Sequence, residues 1–131
     1  MLTTALLTEQ ALKHPDRCAV LVDGVAEMSF AQWDRGANRI ARRLVGQGIS
    51  PGDRVGLLFR NADATTYLRA YVAVHRAGAV AVPLNTKFTP HELAGVLEHC
   101  EARAVLHGTE LELVDSSAGD RHIWGPGVLA D

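Results

Sequence analysis

Residues 53–59 (DRVGLLF) and residues 79–85 (AVAVPLN) decide the fold of this chain. Each contains four or five consecutive apolar residues, which is typical of parallel strands that are buried on both faces. Residues 63–77 between them have the length of a helix, and Gly78 follows where a C-terminal cap is expected. The side chains at helical spacing in this segment are Leu68, Tyr71, Val72 and His75. The sequence therefore predicts a right-handed βαβ crossover.

On the N-terminal side, the pattern predicts a short helix followed by a β-hairpin. The helix covers residues 3–13 and ends before Pro15. Residues 18–22 and 25–30 read as strands joined at Asp23-Gly24, a dipeptide typical of tight hairpin turns. We expect this hairpin to form a small sheet separate from the parallel one.

A long amphipathic helix is predicted over residues 31–47. Ser29 and Gln32 have the spacing of a capping box at its start. One face is apolar, with Trp33, Ala37, Ile40, Ala41 and Leu44. Gly46 or Gly48 is expected to end the helix, and residues 50–53 have the composition of a turn.

On the C-terminal side, Thr89 and Glu92 form a second capping box around Pro90. The helix that follows has a core stripe made of Leu93, Val96, Leu97 and Cys100. Residues 103–107 are predicted to be a third parallel strand, Thr109 to begin a short helix, and residues 121–124 to be a shorter fourth strand. Residues 116–120 read as a loop, and the residues after Trp124 as an interrupted connection.

These elements predict an α/β fold with three layers, in which helices flank a mostly parallel sheet and a small N-terminal β-hairpin stands apart. We expect residues 1–131 to be a single partial domain, with the helix and hairpin in residues 1–30 and the α/β layer in residues 31–124.

Composition narrows the class of protein. The chain has 131 residues, of which 47% are hydrophobic, and a net charge of −2 from 13 basic and 15 acidic residues. This composition excludes a disordered chain, and no basic stripe indicates nucleic-acid binding. The cluster of Arg39, Arg42 and Arg43 is interpreted as a solvated helix face.

The sequence also indicates a compartment. No apolar run approaches the roughly 20 residues needed to cross a bilayer, and no signal-peptide pattern opens the chain. Cys18 and Cys100 are interpreted as buried small hydrophobic residues rather than as a disulfide or metal site. We therefore expect a cytoplasmic protein.

Phosphate-binding motifs are missing from the sequence. The glycines of residues 46–52 follow a helix rather than a strand and lack dinucleotide-loop spacing, so they are interpreted as a helix stop and a turn. The chain has two lysines, Lys13 and Lys87, and neither lies in a glycine-rich stretch.

Other catalytic patterns are equally weak. No two of the six histidines have the spacing that lets one helix face bind a metal, so they are interpreted as surface or helix-flank residues. They are His14, His75, His91, His99, His107 and His122. The carboxylate pairs Glu98 and Glu101, and Glu110 and Glu112, read as solvated faces. Ser116 and Ser117 lack a nucleophile elbow. Tyr67 and Tyr71, on one helix face, are interpreted as core packing.

The loops after the three predicted strands, at residues 60–63, 83–85 and 107–109, are the plausible position for any ligand, because ligands in open α/β sheets bind at strand ends. We predict no catalytic, cofactor-binding or metal-binding residue in this chain.

Several segments together resemble the start of the AMP-forming acyl- and aryl-CoA synthetases, in the superfamily that includes luciferases and adenylation domains. The matching segments are residues 28–33 (MSFAQW), 48–55 (GISPGDRV) with Asn61, 76–85 (RAGAVAVPLN) and 89–106. The resemblance runs from about Leu7 to Leu106 in the family's order and spacing. Residues 83–85 with Phe88 and Thr89 resemble the ligases more than the adenylation domains.

The resemblance implies a first subdomain that acts as a scaffold. The whole enzyme would use ATP, magnesium and coenzyme A to convert a carboxylic acid through an acyl-adenylate into a thioester. Its Ser/Thr/Gly-rich phosphate loop, its magnesium-site glutamate and its C-terminal lysine have no counterpart here. The expected partner is the remainder of the ligase or a complementary chain, with self-association through uncovered apolar faces. A stand-alone, non-catalytic interaction module stays open as the second function class.

Overall fold

The computed structural model describes residues 2–22, 24–108, 119, 121–125 and 129. The N-terminal part contains a helix, a two-stranded antiparallel hairpin and a long helix. These are α1 (Leu2–Lys13), β1 (Cys18–Val22), β2 (Val25–Ser29) and α2 (Phe30–Gly46). The hairpin forms its own sheet, as predicted. Gly24 has a φ of 78°, in the left-handed region that a tight turn requires, and Asp23 lies outside the described residues.

The rest of the described chain alternates between parallel strands and helices. The strands are β3 (Arg54–Leu58), β4 (Val80–Pro83), β5 (Ala102–His107) and β6 (His122–Trp124). The helices are α3 (Ala64–Arg76) and α4 (Pro90–His99), and a 3-10 turn at Asn61–Asp63 precedes α3. The strand order is β4-β3-β5-β6, and every pair is parallel. The predicted parallel sheet is therefore confirmed, including its short fourth strand. The helix predicted from Thr109 and the loop over 116–118 lie outside the described residues.

Two apolar layers cover the sheet, and alternation along β3 separates them. Val55 and Leu57 belong to the core under α2 and α3, which includes Ile40 and Leu44 from α2. Leu58 belongs to the opposite core under α4. Successive side chains of a strand point to opposite faces, so these two cores lie on opposite sides of the sheet. The predicted three-layer arrangement is therefore confirmed.

The residues at helical spacing in α3 coincide only in part with its buried face. The fully buried residues of this helix are Ala70, Val72, Ala73 and Val74, whereas Leu68, Tyr71 and His75 are half-buried. Small side chains allow α3 to lie between the sheet and α2, and the larger rings lie at the margin of that contact. Helical spacing alone cannot distinguish a margin from a centre.

The prediction that β4 is buried on both faces was wrong. It lies at one edge of the described sheet, and Val80 is 46% exposed. An apolar run indicates a parallel strand but does not determine its position in the sheet.

Arg76 joins three helices at the outer face of α3. Its guanidinium pairs with the Asp34 carboxylate at 2.8 Å and donates to the Asn38 side-chain oxygen at 2.9 Å and to the Asp34 carbonyl at 3.2 Å. It also donates to the Thr8 hydroxyl of α1 at 3.0 Å. The Trp33 indole of α2 donates to the Leu68 carbonyl of α3 at 3.1 Å. Polar contacts therefore hold α1, α2 and α3 together beside their apolar contact.

Both cysteines are free thiols. Cys18 is exposed, which contradicts its predicted burial, and its thiol donates to the Val20 carbonyl at 3.3 Å. Cys100 is half-buried at the end of α4. Among the helices that the structure describes, none combines the length and the apolar character that a membrane crossing requires.

Candidate functional site

The carboxyl ends of the parallel strands meet at one edge of the sheet, which is where ligands bind in open α/β folds. Phe59, Arg60 and Asn61 follow β3 at this edge. Leu84 follows β4, and its amide donates to the Leu57 carbonyl at 2.8 Å. Gly108 follows β5, and its amide donates to the Leu58 carbonyl at 3.0 Å. The residues that follow β4 and β5 are therefore held against the end of β3 by backbone hydrogen bonds.

A cavity of about 280 Å³ opens between the ends of β3 and β4. Leu57 and Leu84 contribute buried apolar atoms to it, and Phe59 and Tyr67 contribute two aromatic rings. Arg60 and Asn61, both exposed, also line it. Sequence reasoning identified the loops after β3, β4 and β5 as the plausible position for a ligand, and the cavity lies beside the first two of them. Tyr67 packs against the core, as predicted, and its ring also lines the cavity. This second contact was not predicted, because a helical pattern does not show which strand end lies beside the helix.

The two rings of the cavity form the start of an aromatic row along α3. The centroids of Phe59 and Tyr67 are 5.8 Å apart at an interplanar angle of 67°, an edge-to-face contact. Tyr71 and His75 continue the row, with centroid distances of 6.0 Å from Tyr67 to Tyr71 and 4.6 Å from Tyr71 to His75. Burial raises the pKa of the Tyr67 phenol, and the neighbouring Tyr71 raises it further. This phenol therefore stays neutral at physiological pH and can act as a hydrogen-bond donor.

His107 contradicts the prediction that the histidines lie at the surface. It is the last residue of β5 and is only 1% exposed. Its Nδ1 lies 2.9 Å from the Gly108 carbonyl oxygen, and within the described part of the chain its Nε2 has no hydrogen-bond partner. The imidazole packs against Gly125, where a Cβ would lie 2.9 Å from the ring. The signal that could have identified it is its position at the end of a buried apolar strand.

The lysines and glycines are placed as the sequence predicts. Lys13 forms an exposed pair with Glu9 at 2.6 Å, one turn away on α1. Lys87 is exposed in the loop after β4, where its amide donates to the Asn85 side chain at 2.9 Å. Gly48 has a φ of 93° just after the end of α2, which confirms the predicted helix stop.

The acidic candidates do not form a site in the described structure. Glu98 and Glu101 are exposed at the end of α4 and just beyond it, as predicted for a solvated face. Glu110, Glu112 and the two serines at 116 and 117 lie outside the described residues. Across the residues that are described, no group of three or more His, Cys, Asp or Glu side chains has an arrangement that could hold a metal ion.

Comparison with known proteins gives one consistent match. The family model described as "AMP-binding enzyme" matches residues 7–125. The acyl-CoA ligase sidI of Aspergillus fumigatus is 36% identical over 99 residues, which cover 75% of this chain and 16% of that protein. The 3-oxocholest-4-en-26-oate--CoA ligase of Rhodococcus rhodochrous is 34% identical over 81% of this chain and 19% of its own length.

A further relative is surfactin synthase subunit 1 of Bacillus subtilis, which is 33% identical over 88% of this chain and 3% of its own length. The chain thus spans less than a fifth of the length of each of these three relatives.

Solved structures agree with the sequence matches. The N-terminal domain of FACL13 from Mycobacterium tuberculosis superposes with a TM-score of 0.83 at 28% identity, over 96% of this chain and 33% of that one. The anthranilate CoA ligase AuaEII, solved with anthranoyl-AMP, superposes with a TM-score of 0.84 at 29% identity, over 95% of this chain and 24% of that one. Sequence and backbone therefore indicate the same kind of protein.

Proposed function

Because the chain belongs to the family of AMP-binding enzymes, we propose that it is the first part of an AMP-forming acid–thiol ligase. The whole enzyme would activate a fatty or aryl carboxylic acid with ATP as an acyl-adenylate and transfer the acyl group to coenzyme A. The observation that carries this proposal is the match of residues 7–125 to the family, together with superposition on acyl-CoA ligases over nearly the whole chain.

Within that enzyme, we assign residues 1–131 the role of a scaffold, as one partial domain. The donor set at the strand ends does not fit ATP with magnesium. A triphosphate needs clustered backbone amides and cations, and its metal needs carboxylates. The described loops after β3, β4 and β5 carry two cations, Arg60 and Lys87, in separate loops and contain no run of glycines. ATP, magnesium and coenzyme A would therefore be held by other parts of the enzyme.

Two alternatives remain. The surfactin synthase relative supports an adenylation domain that delivers its acyl group to a carrier protein instead of coenzyme A. The other alternative is a stand-alone, non-catalytic interaction module that pairs with a partner chain. The coding sequence after Asp131 distinguishes the stand-alone module from the other two cases, because a ligase or an adenylation domain requires a downstream Ser/Thr/Gly-rich loop that ends in lysine.

We propose the remainder of an AMP-binding domain as the main partner of this chain. Leu12 is 80% exposed and Leu21 is 65% exposed, so the isolated chain presents apolar surface. Such surface favours self-association when no partner covers it. The free thiols of Cys18 and Cys100 fit a reducing cytoplasm.

A graft tests the proposed role directly. Residues 7–125 would replace the aligned first part of the anthranilate CoA ligase, and acyl-adenylate formation would be followed by pyrophosphate exchange. We expect the chimera to retain exchange with the host's acid, since the host supplies the chemistry. The isolated chain should give no exchange with a panel of acids and no saturable ATP–magnesium binding by calorimetry.

A matched chimera carrying Arg76→Met serves as the control for scaffolding, since this change loosens the helices and touches no strand-end residue. Its activity should fall in parallel with its thermal midpoint. A folded chimera with intact residues 7–125 and no exchange would contradict the scaffold role, as would exchange by the isolated chain.

A further inference from the structure

We propose that Pro83 prevents the outer edge of β4 from pairing with a second copy of this chain. The outer edge is the side of β4 that faces away from β3, and none of the described strands lies beside it. An uncovered edge strand presents backbone N–H and C=O groups to which another chain can pair. The inference goes beyond the ligase assignment, because it concerns the sheet of this chain and holds equally for a ligase fragment and for a stand-alone module.

β4 has the composition of a strand that associates easily. Its four residues carry no charge, and Val80 is 46% exposed. Proteins usually protect such a strand with a charged side chain, a proline or a very short length. Since β4 contains no lysine, its protection comes from its length of four residues and from Pro83 at its end.

Hydrogen bonds toward β3 show which backbone groups of β4 face the outer edge. The amides of Val80 and Leu84 donate at 2.7 and 2.8 Å to carbonyls in β3 and directly before it. Successive residues of a strand direct their backbone groups to alternate sides, so Ala81 and Pro83 face the outer edge. Because proline has no backbone N–H, the outer edge lacks a donor at Pro83.

Two copies would pair most simply in antiparallel fashion about a two-fold axis through Ala81. The two Ala81 residues would exchange two hydrogen bonds, and Ala79 of each copy would lie opposite Pro83 of the other. The Ala79 amide already donates to the Val74 carbonyl at 3.0 Å, and Pro83 has no amide hydrogen to donate. Only two hydrogen bonds remain for the pair, and these do not offset the freedom that two chains lose on association.

Replacement of Pro83 should therefore allow the edge to pair. Pro83→Val supplies an N–H that can donate to the Ala79 carbonyl of the second copy, and the two-fold axis doubles this gain to two hydrogen bonds. From the usual contribution of a hydrogen bond, we expect pairing to tighten about tenfold or more. Pro83→Ala supplies the same N–H with a smaller side chain, so the test does not depend on the folding of one variant.

Amide hydrogen exchange measured by NMR locates the pairing. The chain would be compared at about 0.05 mM and about 1 mM, which covers weak association. In the wild-type chain, the Ala81 amide should exchange at the same rate at both concentrations. In Pro83→Val and Pro83→Ala, this amide and the new amide at position 83 should exchange more slowly at the higher concentration. Because the readout is local to β4, it distinguishes this pairing from association through other apolar surfaces.

Two further variants serve as controls. Pro15→Val is the matched control, since Pro15 is exposed, precedes β1 and lies outside the parallel sheet, and it should behave as the wild-type chain does. Val80→Lys added to Pro83→Val should abolish the pairing again, because a charged side chain on an exposed edge strand opposes association.

Each result decides the proposal. Slower exchange confined to the two Pro83 variants, and lost when Val80→Lys is added, would support it. Unchanged exchange in both Pro83 variants would overturn it, as would the same slowing in Pro15→Val. Concentration-dependent protection of the Ala81 amide in the wild-type chain would also overturn it, because the edge would then pair in the presence of Pro83.

Discussion

Replacement of Arg76 by methionine should destabilise the domain by about 2–3 kcal/mol. Methionine keeps most of the aliphatic stem and removes the guanidinium that contacts Asp34, Asn38 and Thr8. The side chains of Arg76 and Asp34 are only 13% and 23% exposed, so the pair is intermediate between a surface pair and a buried one. A surface pair contributes about 0–1 kcal/mol to stability, and disruption of a buried pair costs about 3–5 kcal/mol. A single hydrogen bond to a charged group contributes about 1.5–3 kcal/mol, which gives the same range.

Urea unfolding followed by far-UV circular dichroism measures this change. For a small domain with a slope of about 2 kcal/mol per molar urea, the midpoint should fall by about 1 M or slightly more. Arg42→Met is the control, because Arg42 is exposed on α2 and a surface change there should stay within about 0.5 kcal/mol. A double-mutant cycle with Asp34→Asn should give a coupling energy of about 1 kcal/mol or more, since the two side chains are in contact. Equal midpoints for Arg76→Met and Arg42→Met would refute the argument that Arg76 joins the helices.

Three further outcomes are expected. Gly78→Val should lower the free energy of unfolding by ~1 kcal/mol or more, because Gly78 has a φ of 79° that a β-branched residue resists. Gly46→Val is the control, at a helical glycine with open space around it, and should lower the free energy of unfolding by less in the same urea experiment. The backbone amide and the side chain of Thr89 hold the pKa of Glu92 below its usual 4.5. The stability that this contact contributes is therefore present above pH 4.5 and is lost as the pH falls through the folded-state pKa. Thr89→Ala should move the pKa of Glu92, measured by NMR, back toward 4.5. Burial raises the pKa of Tyr67 above its usual 10.0, so ultraviolet titration should show this tyrosine ionising late, and the absence of any late ionisation would contradict the described packing.

Local signals predicted most of the secondary structure. The capping boxes at Ser29 and Thr89 are both present, and α2 and α4 begin directly after them. Gly78 has the positive φ expected of a helix cap. Such features depend on residues a few positions apart, and a short segment determines them by its own hydrogen bonds and allowed backbone angles. Helix and strand boundaries consequently differed from prediction by only one or two residues.

The candidate site was less predictable, since it depends on contacts between distant segments. The cavity brings together Phe59, Tyr67 and Leu84 from three separate elements. His107 is buried at the end of β5, and Gly125 from a later segment of the chain lies against its ring. Neither contact leaves a periodic or spacing signal in the chain, so pattern reasoning interpreted Tyr67 as core packing and His107 as a surface residue.

The amino-acid sequence by itself determined which segments become strands and helices, that the strands run parallel, and which family the chain resembles. Apolar runs, capping residues and family segments are all written in consecutive residues. Tertiary structure alone decided that β4 lies at an edge, that alanines rather than aromatic rings form the centre of α3's contact, and that Arg76 joins three helices. These features follow from close packing, in which the volume and donors available at one position are set by elements far away in the chain.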